Sequence, residues 1–111
     1  MATLTSHTLN GTDGTHADGI AVILTNLTSG VVMQSGAMDS GGRLSLNILT
    51  KDIDPAATYE LVFETANYWS ARNTPASVTQ IALRFAMPDL EGAYHMPVIL
   101  SPNSYSMWMS A

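Results

Sequence analysis

The chain has 111 residues, 46% hydrophobic and 12% charged, enough for one domain with a core of its own. Its 9 acidic and 4 basic side chains leave a net charge of -5, which offers no electrostatic footprint for nucleic acid or for an anionic membrane surface. It has no cysteine, which excludes disulfides, thiolate zinc sites and a cysteine nucleophile, and no apolar run approaches the roughly 20 residues of a membrane span.

Apolar residues recur at alternate positions in short stretches bounded by Gly, Asn, Asp, Ser and Pro, the pattern of half-buried strands. In chain order, the first strand is expected over residues 4–9. After a turn-rich segment, Ile20, Val22 and Leu24 alternate, and a shorter candidate covers 31–36. The turn Ser40-Gly41-Gly42 leads into a strand over 43–48, and Tyr59, Leu61 and Phe63 alternate after Asp54-Pro55. Residues 65–72 break the alternation and predict a helix over 66–72 with Thr65 as its N-cap. Ile81, Leu83 and Phe85 follow Pro75, and strands over 94–100 and 104–109 complete the set. The sum is an all-β, two-sheet sandwich of about eight strands in a single domain over 1–111.

Two features at the end of the chain resist this pattern. Pro97 lacks an N–H inside an otherwise convincing strand, which predicts a sheet edge or a bulge with irregular pairing. Met107-Trp108-Met109 is apolar on both parities, so a second surface must cover it. Self-association is preferred to Trp108 folding back on its own domain, and a homo-oligomer is expected. The N-terminus lacks the basic-then-apolar layout of a signal peptide, and the chain reads as soluble and cytoplasmic.

The histidines His7, His16 and His95 are the natural acid and base candidates. His16 falls in a polar, Gly-rich turn, reads as a solvated surface residue and is set aside. His7 and His95 lie within strands. With no H-x-H or H-E-x-x-H spacing and no acidic residue beside either strand histidine, no metal and no other cofactor is expected. Arg43 opens a strand after two glycines, where a guanidinium can grip a carboxylate, urea or enolate group; Arg72 and Arg84 have weaker claims. No G-x-S-x-G or S-x-x-K spacing supports a serine nucleophile.

Three stretches, Leu4-Thr5-Ser6-His7-Thr8-Leu9, Gly42-Arg43 and Tyr94-His95-Met96-Pro97-Val98-Ile99-Leu100-Ser101-Pro102, together give the chain a family likeness. It resembles the 5-hydroxyisourate hydrolases, the enzymatic relatives of transthyretin, and the likeness runs nearly end to end through Tyr59-Glu60-Leu61-Val62-Phe63 and Tyr68-Trp69. The resemblance implies an eight-stranded sandwich, a homotetramer built as a dimer of dimers, and active sites at the interface between dimers. It assigns catalysis to His7, Arg43 and His95.

The family hydrolases end in a Tyr-Arg-Gly-Ser motif that contributes to the site, whereas this chain ends Trp108-Met109-Ser110-Ala111, which by resemblance line the substrate pocket. Met109 in place of arginine removes a five-donor fork, and Ala111 in place of serine removes a hydroxyl. Ser110 could replace that serine only after a one-residue slip, which would turn it to the other face. Asn10 also stands where the family usually has Asp.

The expectation is a divergent enzyme of this type with a larger or more apolar substrate. General acid–base chemistry by His7 and His95, with Arg43 stabilising developing negative charge, would open a ring by hydrolysis, or catalyse a cyclisation or addition if water is excluded. The alternatives are a genuine 5-hydroxyisourate hydrolase of purine catabolism and a non-catalytic transthyretin-like binding protein.

Overall fold

A strand with one buried face must bury every second residue, and β1 (Ala2–Asn10) does so without a break. Ala2, Leu4, Ser6, Thr8 and Asn10 are buried, while Thr3, Thr5, His7 and Leu9 are half-exposed on the opposite face. The computed structural model describes residues 1–111. The further strands are β2 (Ala21–Asn26), β3 (Val31–Ala37), β4 (Arg43–Ile48), β5 (Tyr59–Glu64), β6 (Gln80–Phe85), β7 (Ala93–Ser101) and β8 (Ser104–Met107). They form two four-stranded sheets, ordered β4-β1-β7-β8 and β3-β2-β5-β6. β1 runs antiparallel to β4 and parallel to β7.

The inner faces meet in a core of 23 buried residues, with Leu4, Leu46, Tyr94, Met96 and Val98 from one sheet and Val22, Leu24, Tyr59, Leu61 and Phe63 from the other. Full burial of each large apolar side chain contributes about 1.5–3 kcal/mol, so the sandwich holds chiefly by this contact. One short helix, α1 (Ala66–Ser70), follows β5 and buries Tyr68 and Trp69. Thr65 stands at its N-cap position but makes no capping hydrogen bond: its backbone is already helical, with φ -91 and ψ -16, and its buried hydroxyl has no partner. A single 3-10 turn, Thr50–Asp52, follows β4.

Pro97 does not lie on an edge strand, because β7 is sandwiched between β1 and β8. Its irregularity falls entirely on the β8 side. His95 and Ser110 exchange both backbone hydrogen bonds at 2.9 Å, and Val98 pairs with Met107 in the same register. Antiparallel alternation makes Pro97 and Trp108 the next hydrogen-bonded pair, and Pro97 has no N–H to give. The β8 strand therefore stops at Met107 and resumes as a single bridge at Ser110.

Candidate active site

The register of the β4-β1-β7-β8 sheet gathers the chemistry on its outward face. His7 pairs with Arg43 and Thr5 with His95, and Ser110 lies across from His95 on the other side. Period-two alternation then gives two parallel rows on that face, Ser45-Thr5-His95-Ser110 and Arg43-His7-Pro97-Trp108. Residues from four separate parts of the chain thus meet because a parallel strand lies beside β1.

Gly42 determines where Arg43 begins. Its φ of 69° is left-handed, and a Cβ there would lie 2.5 Å from the Thr8 carbonyl oxygen. Only glycine lets this backbone come close enough for the Thr8 N–H to donate to the Gly42 carbonyl at 2.7 Å. The Asp39 carboxylate closes the turn by accepting the N–H groups of Gly41 and Arg43, each at 2.9 Å. The hydrogen bond from the Arg43 N–H is the main reason its pKa falls below the ordinary aspartate value.

The three arginines are not equivalent. Arg72 pairs with Asp18 at 3.4 Å and lies 3.6 Å over the Tyr68 ring, and Arg84 pairs with Glu60 at 3.2 Å. The Arg43 guanidinium has no ion pair and no hydrogen bond within the chain; only its backbone is engaged by Asp39, its N–H donating to the carboxylate and its carbonyl accepting the Asp39 N–H, each at 2.9 Å. It opens onto a cleft of about 270 Å³ lined by Thr5, Ser6, Asp39, Arg43, Leu44, Ser45 and His95. Larger clefts, of about 350 Å³ between Asn26 and Asp52 and about 390 Å³ beside α1, contain no histidine or arginine.

His95 is half-buried, with Nδ1 2.8 Å from the Thr5 hydroxyl oxygen, and that hydroxyl is 3.4 Å from the Tyr94 carbonyl. When the Thr5 hydroxyl donates to the carbonyl, His95 Nδ1–H donates to Thr5 and Nε2 keeps the lone pair of a base. His7 has its pKa lowered, first by burial and then by the positive charges of Arg43 and His16, while the Gly41 backbone opposes the shift. Its Nε2 is 3.0 Å from Nδ1 of His16. His16 is exposed, as its turn composition implied, yet it is bonded to a candidate catalytic residue, and no motif in the sequence signals this.

The tail divides by parity. Ser110 lies beside His95, and Trp108, 56% exposed, continues the His7 row. Met109 has the opposite parity and packs, partly buried, against the core with Met107. Ala111 is exposed at the end of the chain. No three His, Cys, Asp or Glu side chains come together in a way that could hold a metal ion.

This fold, with two histidines and an unpaired arginine on an outward sheet face, is that of the HIUase/Transthyretin family, whose model matches residues 4–109; the chain belongs to that family. It is 31% identical to the 5-hydroxyisourate hydrolase of Deinococcus radiodurans over 95% of this chain and 92% of the relative. The solved 5-hydroxyisourate hydrolase of Klebsiella pneumoniae has the same fold, with a TM-score of 0.82 at 24% identity over 98% of this chain and 99% of that one. Sea bream transthyretin, solved in complex with thyroxine, matches with a TM-score of 0.82 and 25% identity over 97% of this chain and 94% of that one.

Proposed function

We propose that this protein is a divergent 5-hydroxyisourate-hydrolase-like enzyme that opens a small heterocyclic or carbonyl substrate by His/Arg acid–base hydrolysis, without a metal or other cofactor. The observation that carries the reading is the unpaired Arg43 guanidinium on one cleft with His95, whose Nδ1 is anchored to Thr5. Arg72 and Arg84, in contrast, are paired with Asp18 and Glu60.

In the proposed reaction, His95 Nε2 takes a proton from water as the water oxygen bonds to a ring carbonyl carbon. The negative charge that develops on the carbonyl oxygen is met by the Arg43 N–H groups. The tetrahedral centre collapses with cleavage of the ring C–N bond, and the proton held by His95 passes to the departing nitrogen. His7 adjoins this centre as a second proton-holding group.

Trp108, on the His7 row, supports a substrate less polar than 5-hydroxyisourate. Ser110 supplies a hydroxyl one position before the end of the chain. β8 is an edge strand in which Tyr105 is 44% exposed, and Trp108, just beyond it, is 56% exposed; this supports a homotetramer whose interface covers the tail and completes the pocket. Light scattering should give four times the 11.8 kDa chain mass; a particle of 11.8 kDa would contradict the assembly.

The functional test measures ring opening of 5-hydroxyisourate, and of cyclic imides carrying apolar substituents, by the native protein and by His95→Ala. The expected result is His95-dependent acceleration that is larger for the substituted compounds. Faster turnover of 5-hydroxyisourate would overturn the apolar preference. Tight binding with no His95-dependent product from any compound would overturn catalysis and leave a binding protein.

A further inference from the structure

His16 reaches His7 because residues 11–17 fold back along the end of β1. Leu9 and His16 form an antiparallel bridge, the Ala17 N–H donates to the Thr8 carbonyl at 2.9 Å, and the Thr8 hydroxyl donates to the Ala17 carbonyl at 2.6 Å. A residue opposite Leu9 shares its face and is a diagonal neighbour of His7. The fold-back is anchored from below: buried Asn10 donates through Nδ2 to the Tyr68 hydroxyl at 3.1 Å and accepts the Thr12 N–H at 2.9 Å through Oδ1. Asp13 in turn accepts the N–H and the hydroxyl of Thr15, at 2.9 and 2.7 Å. The residues on both sides of His16, Thr15 and Ala17, are thus held, and the two imidazole rings meet at 5.1 Å between centroids with a 33° tilt.

We propose that His7 and His16 form a single proton-holding unit at the edge of the site, in which His16 is a positioning residue that occupies His7 Nε2 and fixes which His7 nitrogen carries hydrogen. Only one hydrogen fits between nitrogens 3.0 Å apart. In the neutral pair, one ring donates and the other accepts. A first added proton leaves that N–H···N bond intact and spreads a single positive charge over both rings. A second proton sets two N–H groups against each other and breaks the bond, so the pair titrates in two separated steps that belong to both residues.

The other groups facing His7 reinforce this. Arg43 from β4 and His95 from β7 repel a second positive charge, while Asp39 and the Gly41 backbone, in the turn before β4, favour the first. The consequence for the site is that His7 offers no free Nε2 to a substrate. The pair instead holds one proton beside the reacting centre without building a second imidazolium next to Arg43. This role rests on the acid–base reading proposed above, but its test needs no turnover.

The experiment is a long-range 1H–15N NMR titration of the native protein, His16→Gln and His7→Gln. In the native protein, the ring nitrogens of His7 and His16 should each report the same two steps. In His16→Gln, His7 should titrate in one step with its midpoint moved up, because a neighbouring positive charge is gone; in His7→Gln, His16 should likewise titrate in one step. His7 curves that coincide in the native protein and in His16→Gln would overturn the proposal. The pH profile of kcat/KM for His95-dependent ring opening supplies a second reading: its acid limb should shift in His16→Gln, and an unmoved limb would count against a role for the pair in the reaction. A protein that is inactive throughout yet shows the coupled titration keeps the pair and loses the proposed function.

Discussion

The outward faces of the two sheets are built from the same pleat but treat charge in opposite ways. On the β3-β2-β5-β6 sheet, Glu60 meets Arg84 at 3.2 Å across the strand pair, and Gln80 donates to Glu64 at 2.7 Å, so each polar head is met by a neighbour. On the β4-β1-β7-β8 sheet, Arg43 stands unpaired beside His7, and the polar bonds present, Thr5 with His95 and His7 with His16, fix imidazole rings and cancel no charge. The first face is a solvated surface whose pairs are worth little; the second keeps the Arg43 cation and the His95 ring, bonded only through Nδ1, available to something from outside the chain.

The sharpest way to break this contrast is to remove the free cation. Arg43→Met should lower kcat/KM for ring opening by about 10²–10³-fold while thermal stability is kept, as for loss of a group that meets developing oxyanion charge. An unchanged rate would put Arg43 in the same category as Arg84. Next in size is the turn that brings Arg43 into register: Gly42→Ala should destabilise by about 1–3 kcal/mol in urea unfolding, through its left-handed backbone and the contact with the Thr8 carbonyl. Full stability in that variant would contradict the close approach.

Acid should separate the faces more gently. The pKa of His7 is lower in the folded chain than its ordinary 6.5, so the unfolded chain binds the extra proton first. This histidine therefore costs no stability above 6.5 and costs progressively more as pH falls through the window between 6.5 and its folded value. The urea midpoint of the native protein should drop across that window by more than that of His7→Gln; parallel curves would contradict the shift. Smallest of all, Arg84→Met on the opposite face should change stability by only about 0.2–1 kcal/mol, read by thermal unfolding, and leave ring opening untouched.

The strands were legible because alternation is local: Val22 and Leu24, or Tyr59, Leu61 and Phe63, declare their buried side without reference to any other part of the chain. His7, Arg43 and His95 were legible from family motifs, and the register then shows that they share a face. What stayed hidden depends on contacts between distant segments. Met109 turns to the core because the register continues unbroken past Pro97, and the missing N–H interrupts the bonds without shifting parity. His16 reads as a solvated turn residue until Asn10 is seen tied to Tyr68, which holds the fold-back against β1. Thr65 has the composition of a cap, but the chain enters α1 already helical, so its hydroxyl has no N–H to accept from.

The most direct test of the central claim, that the His95 face of this sheet catalyses hydrolytic ring opening, is the rate of ring opening of 5-hydroxyisourate and a substituted cyclic imide with native protein, with His95→Ala and with no protein. The account predicts acceleration above the uncatalysed rate that disappears in a folded His95→Ala protein, a loss of about 10²–10⁴-fold. Rates that are equal for the native protein and the variant, or equal to the uncatalysed rate with both compounds, would contradict it.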